Sequence, residues 1–283
     1  MKKKIATLMT CHNRREQTLN CIKSLFEATL PKDTWLKVYL VDDGSTDGTT
    51  EAIKENFPKI KIIPGNGNLY WNKGMRLAWE TAAEDDNFDF FLWLNDDTIL
   101  DKNFLGELLG DFQEALDQEK SESIIIGSCR NEIEHETFSY GGRDETGPII
   151  PNGKIQKCKF INGNLVLIHH KIFDSIGNLS PLYTHAIGDN DYGLRAINAG
   201  YNCFVSKNFI ATCPQNELAP WCNPRYSLVK RFKNLYSPKG LNIKEYIVFL
   251  KNHHKKNWLI STIKVYLKTL SPKTYQLFAE KLT

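Results

Sequence analysis

Three acidic clusters in this chain of 283 residues have the residue types and spacing that chemistry needs. Asp42-Asp43 precedes Gly44-Ser45, Asn95-Asp96-Asp97 precedes Thr98, and Asp189-Asn190-Asp191 precedes Arg195. Carboxylates such as Asp42 and Asp43 accept hydrogen bonds from base N–H and ribose hydroxyl groups, as a nucleotide site requires. The same Asp, Gly and Ser also make an ordinary turn and helix cap. Asn95-Asp96-Asp97 offers oxygen ligands to a divalent cation. Completed by phosphate oxygens, such an ion offsets the charge that gathers on a departing diphosphate. With oxygen donors and no cysteine beside them, Mg2+ or Mn2+ is favoured over zinc. A carboxylate at Asp189 or Asp191 has the chemistry to take a proton from an attacking hydroxyl. In the competing reading Asp189 caps a helix and Asp191 pairs with Arg195 one turn on. His12, His169, His170 and His185 read as loop or core histidines, and Cys213 with Cys222 makes only a weak metal pair. Neither G-x-G-x-x-G nor G-x-x-x-x-G-K-[ST] occurs, which counts against dinucleotide and P-loop sites.

The elements that must position these clusters follow from hydrophobic spacing. Apolar runs over 5–10, 36–41, 60–63 and 88–94 read as strands. Helical spacing over 16–28, 49–56 and 73–83 falls between them. Strand and helix in alternation predict an open, mostly parallel α/β sheet with helices on both faces. Ligands of such sheets sit beyond the carboxyl ends of the strands. Three of the four strand ends carry polar or acidic clusters, so the chemistry is expected there. Further along, 123–128, 160–169 and 201–205 read as strands, and 172–179, 188–198, 243–252 and 258–270 as helices.

Hydrophobic residues form 41% of the chain and charged residues 24%, enough for a sizeable core and against wholesale disorder. Seven scattered cysteines without a C-x-x-C pair argue against a disulfide framework or zinc ribbon. The start, Met1-Lys2-Lys3-Lys4, leads into an apolar run too short for a signal peptide. No stretch approaches the ~20 apolar residues of a membrane helix. A chain in a reducing cytoplasmic setting is expected. The net charge of +3 conceals an asymmetry. Residues 223–283 hold 13 Lys and Arg against 2 Asp and Glu, a local +11, which leaves −8 on the rest. A division at 1–215 and 216–283 follows, the second part a basic helical extension.

Taken together the motifs resemble family 2 glycosyltransferases with the GT-A fold, and more narrowly their bacterial rhamnosyltransferase-like branch. The resemblance rests on Thr10-Cys11-His12-Asn13-Arg14, Val41-Asp42-Asp43-Gly44-Ser45-Thr46-Asp47, Asn66-Gly67-Asn68-Leu69-Tyr70-Trp71-Asn72, Leu92-Trp93-Leu94-Asn95-Asp96-Asp97-Thr98 and Gly188-Asp189-Asn190-Asp191-Tyr192-Gly193-Leu194-Arg195. It implies that Thr10, Asn13, Arg14 and Asp42, with Asp43 beside them, hold the nucleotide. Asn68, Trp71 and Lys73 would line the donor pocket. Asp97 and Asn95 would serve the metal, with Asp96 toward the ribose, and Gly163 with Asn164 would lie on the acceptor side. Asp189 matches the base of an inverting displacement, and Asp191 is its alternate. The sequence departs from the family pattern at Asn95, where an aspartate is usual, and at Gly188, where the family has a glutamate. No metal-binding histidine is found over 208–213.

The resemblance implies a nucleotide diphosphate sugar as donor, Mg2+ or Mn2+ as cofactor, and a saccharide or lipid-linked saccharide as acceptor, in surface polysaccharide synthesis. The basic tail carries Trp258, Ile260, Ile263 and Leu267 among Lys255, Lys256, Lys264 and Lys268. That pattern fits either contact with the inner face of a membrane or a packed helical appendage with a solvated basic face. The acidic body and the lack of nucleic-acid motifs exclude nucleic acid as partner. A sugar nucleotidyltransferase would want a glycine-rich loop after the first strand, which is missing here. A phospho-accepting receiver module leaves 66–72 and 188–195 unexplained. A non-catalytic nucleotide-sugar binding protein is the remaining alternative.

Overall fold

The computed structural model describes residues 2–133, 137–215 and 218–279. Its first half alternates as the hydrophobic spacing predicts: β1 (Lys3–Cys11), α1 (Arg15–Glu27), β2 (Thr34–Asp42), α2 (Thr49–Asn56), β3 (Lys61–Pro64), α3 (Tyr70–Asp85) and β4 (Phe90–Leu94). There follow β5 (Ile99–Leu100), α4 (Phe104–Glu119), β6 (Ser123–Arg130), β7 (Phe138–Tyr140), β8 (Gln156–Lys157), β9 (Leu165–His169), α5 (His170–Ile176), α6 (Gly188–Asn198) and β10 (Asn202–Thr212). Four helices follow among the described residues: α7 (Leu228–Leu235), α8 (Ile243–His253), α9 (Trp258–Leu270) and α10 (Pro272–Ala279).

The strands form one sheet in the order β3-β2-β1-β4-β9-β6-β10-β5, with β7 on β6 and β8 on β10. β3, β2, β1 and β4 are parallel, as are β6 and β10. β9 runs antiparallel between β4 and β6, so the sheet is mixed rather than uniformly parallel. Strand direction leaves no mark on hydropathy, because β9 is buried on both faces like its neighbours.

Side chains alternate across the sheet with period two. On one face Ile5 and Met9 of β1, with Phe90 and Leu92 of β4, pack against Ile22 and Leu25 of α1 and Leu105, Leu108 and Phe112 of α4. On the other, Ala6, Leu8, Phe91 and Trp93 meet Met75, Ala78 and Trp79 of α3 and Tyr192 of α6. Burying a large side chain of this kind is worth about 1.5–3 kcal/mol.

Helices α4, α7 and α10 and the short strands β5, β7 and β8 have no counterpart in the sequence reading. β10 is longer than predicted and absorbs 208–212, the segment expected to follow the last strand. The C-terminal helices meet the body through α8. Phe249 and Leu250 of α8 share a buried cluster with Tyr183 and Leu194, and Glu245 accepts from the Thr184 N–H (2.9 Å) and hydroxyl (2.7 Å).

Candidate active site

Parallel pairing of β2, β1 and β4 puts their carboxyl ends along one edge, so Thr10-Cys11, Asp42-Asp43 and Asn95-Asp96-Asp97 are neighbours. They border a cavity of about 720 Å3, whose opposite wall is made by Asn162, Gly163, Asn164 and the start of α6 with Asp189. Of the residues expected from sequence, Thr10, Arg14, Asp43, Trp71, Asn95, Asp96, Asp97 and Asp189 line this cavity. Asn13, Asp42, Asn68, Lys73 and Asp191 do not.

Asp43 and Asp42 divide the labour. Asp43 accepts from the backbone N–H groups of Gly67 (2.8 Å), Leu69 (2.9 Å) and Tyr70 (2.9 Å), and so clamps the loop that begins α3. Gly65 is needed for that clamp, since a Cβ there would stand 2.7 Å from the Asp43 carboxylate. Asp42 accepts from the Ser45 N–H (2.8 Å) and the Thr50 hydroxyl. That is the turn-and-cap arrangement, with the carboxylate turned away from the cavity. Asn13 likewise ties loops together, accepting from the Thr46 N–H at 2.7 Å.

Arg14 Nη1 bridges Asp96 (2.8 Å) and Asp97 (2.9 Å). Burial, with the like charge of Asp97 and against the Arg14 guanidinium, pushes Asp96 up to about 6. Asn95 is otherwise employed than as a metal ligand. Its Oδ1 accepts from the Trp71 indole N–H at 2.6 Å, and its amide donates to Asn164 Oδ1 at 3.0 Å. The asparagine thus positions Trp71, which lies so close over Gly163 that a Cβ there would come within 2.3 Å of the ring. Asp97 is left as the partly exposed carboxylate. The Cys213 Sγ stands 3.7 Å from it, a buried thiol whose pKa is raised by burial and by Asp97, and which is therefore protonated. Among the described residues no group of three His, Cys, Asp or Glu side chains could hold a metal by itself.

Asp189 and Asp191 sit on opposite sides of α6. Asp189 faces the cavity and accepts from the N–H groups of Gly163 (3.1 Å) and Asn190 (2.8 Å). Burial nonetheless raises its pKa above the usual carboxylate range. Asp191 is buried on Arg195 (2.9 Å) and His253 (2.8 Å) and accepts from the Tyr183 hydroxyl at 3.2 Å. Burial opposes its ionisation, but His253 and Arg195 outweigh that and lower its pKa. Asp191 is therefore the joint between the body and α8, not a second base at the cavity.

Sequence reasoning gave no role to His12, Tyr140, Asn162, His185 and Lys239, all of which border the cavity, while Tyr70 borders it within 68–73, the segment expected at the donor pocket. His12 Nδ1 lies 2.6 Å from the Asp43 carbonyl oxygen, and His185 Nδ1 accepts from the Trp71 N–H at 3.3 Å. Asn13 (φ 52°), Tyr70 (φ 55°) and Ile187 (φ 78°) adopt left-handed backbone, and each adjoins the cavity or one of its loops. For a β-branched residue such as Ile187 this conformation is costly, about 1–3 kcal/mol, and such strain gathers at functional sites.

The family model described as Glycosyl transferase family 2 matches residues 7–176. Hyaluronan synthase of Streptococcus pyogenes is 31% identical over 116 residues, 39% of this chain and 27% of that protein. The chain therefore spans about a quarter of the length of the curated relatives it matches. Among solved structures, GalNAc-T7 with UDP, GalNAc and Mn2+ superposes with a TM-score of 0.65 at 14% identity, covering 94% of this chain and 51% of that one. The mannosyltransferase PcManGT from Pyrobaculum calidifontis, in complex with GDP-Man and Mn2+, gives 0.53 at 12% identity over 95% of this chain and 73% of that one. S. aureus TarS gives 0.52 at 15% identity over 94% and 43%. These likenesses give the GT-A fold, and with the match over 7–176 the chain belongs to glycosyltransferase family 2.

Proposed function

We propose that this chain is an inverting glycosyltransferase, moving a sugar from a nucleotide diphosphate sugar to an acceptor hydroxyl. The observation that carries this reading is a single cavity bordered by the Asp96-Asp97 pair on one wall and the Asp189 carboxylate on another. Asp189 accepts the acceptor's hydroxyl proton as that oxygen bonds to the anomeric carbon. The bond from that carbon to the diphosphate oxygen breaks with its electron pair, and no sugar is attached to the protein. Two backbone N–H groups hold the Asp189 carboxylate in place, and its raised pKa suits a general base.

The lining fits a divalent cation. Asp43, Asp96, Asp97 and Asp189 outnumber Arg14 and Lys239, so the cavity is negative before any diphosphate enters. Asp97 would hold Mg2+ or Mn2+ together with the donor's own oxygens, since the protein offers too few ligands for a cage. Bound there, the ion offsets charge on the donor's phosphates. Trp71, fixed by Asn95, gives an aromatic wall near Gly163 and Asn164 on which a sugar ring can rest.

As acceptor we propose a saccharide or lipid-linked saccharide of a bacterial surface polysaccharide, the rhamnosyltransferase-like setting, at the cytoplasmic face of the membrane. No helix among the described residues is long and apolar enough to cross a membrane. Support for surface contact comes from α9, which exposes Leu259, Ile260, Ile263 and Leu267.

The test is turnover of UDP-, GDP- and dTDP-sugars with and without Mn2+ or Mg2+, beside Asp97→Ala. Metal-dependent turnover of one donor, lost in the variant, is expected, with the product's anomeric configuration opposite to the donor's. A retained configuration would overturn the displacement. Turnover of no donor under any metal would leave a non-catalytic binding protein.

A further inference from the structure

We infer that Lys239, carried in by the C-terminal extension, is the protein cation that meets the donor's diphosphate; this rests on the glycosyltransferase reading of the cavity. Lys239 borders the same cavity as Asp97 and Asp189, although it belongs to the turn between α7 and α8, beyond the whole sheet. The extension is then part of the active site rather than an attachment to it.

The other charged groups of the lining are already engaged. Arg14 is held between Asp96 and Asp97, Asp43 by three backbone amides, and Asp189 by the amides of Gly163 and Asn190. Lys239 Nζ has no ion pair or hydrogen bond among the described residues. Its field nevertheless reaches into the cavity: after burial, Lys239 and then Arg14 hold the His185 pKa below its ordinary value.

The turn that presents Lys239 is built. Ser237 N–H donates to the Asn234 carbonyl (3.2 Å), and Gly240 N–H donates to the Ser237 carbonyl (3.0 Å). A Cβ at Gly240 would stand 1.8 Å from the Asn234 carbonyl oxygen, so no other residue fits without moving the turn. Pro238 fixes φ immediately before the lysine. A lysine ammonium is a compact point charge suited to phosphate oxygens. The base is uncharged, and a sugar brings an anion only where it is an acid. The diphosphate always brings one.

The test is calorimetric titration of the full chain in Mg2+ with UDP, GDP and dTDP, their monophosphates, and inorganic pyrophosphate. Wild type, Lys239→Ala, Lys239→Met, Lys239→Arg and Lys233→Ala would be compared, with urea midpoints as the folding control. Lys239→Ala and Lys239→Met should bind the preferred nucleoside diphosphate roughly 10- to 100-fold more weakly, the loss of one hydrogen bond to a charged group. Pyrophosphate affinity should fall with it, monophosphate affinity should change little, and Lys239→Arg should recover most of the loss. Lys233→Ala should match wild type. Diphosphate affinity within about twofold of wild type in both neutral variants would overturn the inference. If wild type bound no nucleoside diphosphate and no pyrophosphate, the donor-site reading itself would fall, and this inference with it.

Discussion

At the residue scale the informative pair is Asp189 and Asp191. Two residues apart on one helix, they have opposite environments: one carboxylate faces the cavity with a raised pKa, the other is locked between Arg195 and His253 with a lowered one. Their substitutions should therefore separate. Asp189→Asn should lower kcat by roughly 10^2- to 10^4-fold, the usual yield of a general base, while donor binding and the urea midpoint stay as in wild type. The acidic limb of the wild-type rate profile should lie above the ordinary carboxylate value of about 3.9, because the base must be ionised and burial resists that. Asp191→Ala should instead cost about 3–5 kcal/mol of stability by leaving Arg195 and His253 unpaired. The sign for Asp191 is that of a depressed carboxylate: its contribution is present above its unfolded-state value and is lost as pH falls through the lower folded value. Unfolding followed by tryptophan fluorescence across pH checks this. Equal losses of kcat in both variants at unchanged stability would defeat the division of roles. Sequence alone could not make it, since both aspartates fit the same motif and only the position of α8 decides which is covered.

At the element scale, loops rather than strands decide the site. Strands β1 to β4, β6 and the core of β9 and β10 were legible as apolar runs, and so were the clusters that end β2 and β4, whereas the short β5, β7 and β8 were not. Lys239 and His185 were not, because irregular segments bring them in, and the loose likeness of Ser237-Pro238-Lys239-Gly240 to the family pattern assigns the lysine no role. Helix α4 is a different case: Leu105, Leu108, Phe112 and Ala115 have helical spacing that was there to be read. Gly188, the departure from the family's glutamate, has a physical reason in α3. Asn72 is fully buried, donates to the Ser180 (2.9 Å) and Tyr183 (2.7 Å) carbonyls, and leaves its Oδ1 1.7 Å from where a Gly188 Cβ would be. The carboxamide of Asn72 occupies the volume a side chain at 188 would need. Gly188→Ala should cost about 1–3 kcal/mol by overpacking. Combined with Asn72→Ala the two losses should be sub-additive, with a coupling of about 0.5–3 kcal/mol. A double-mutant cycle in urea measures it, and additive losses would mean that some other contact excludes the side chain.

At the scale of the whole molecule, charge and apolar exposure coincide on the C-terminal helices. From 247 to 279 the chain has Lys251, Lys255, Lys256, Lys264, Lys268 and Lys273 and no acidic residue. In the same region Ile260 is 56% exposed and Leu267 52% exposed, while the inner side of α9 buries Thr262, Val265 and Thr269. Because the remainder of the protein is net acidic, an anionic surface would repel the body and draw the molecule in tail first. Each lysine near such a surface contributes about 1 kcal/mol, and the attraction fades beyond a Debye length of ~8 Å at physiological salt. The full chain should therefore co-sediment with phosphatidylserine-containing vesicles and not with phosphatidylcholine alone, and added salt should release it. Ile260→Asp with Ile263→Asp should abolish binding, and Lys264→Glu with Lys268→Glu should weaken it, both without loss of donor turnover on a soluble acceptor. If the isoleucine pair binds like wild type while the lysine pair does not, the contact is electrostatic only and α9 does not enter the interface. If wild type ignores both kinds of vesicle, the exposed stripe serves something other than a membrane, and the acceptor must reach Asp189 without a lipid surface to hold it there.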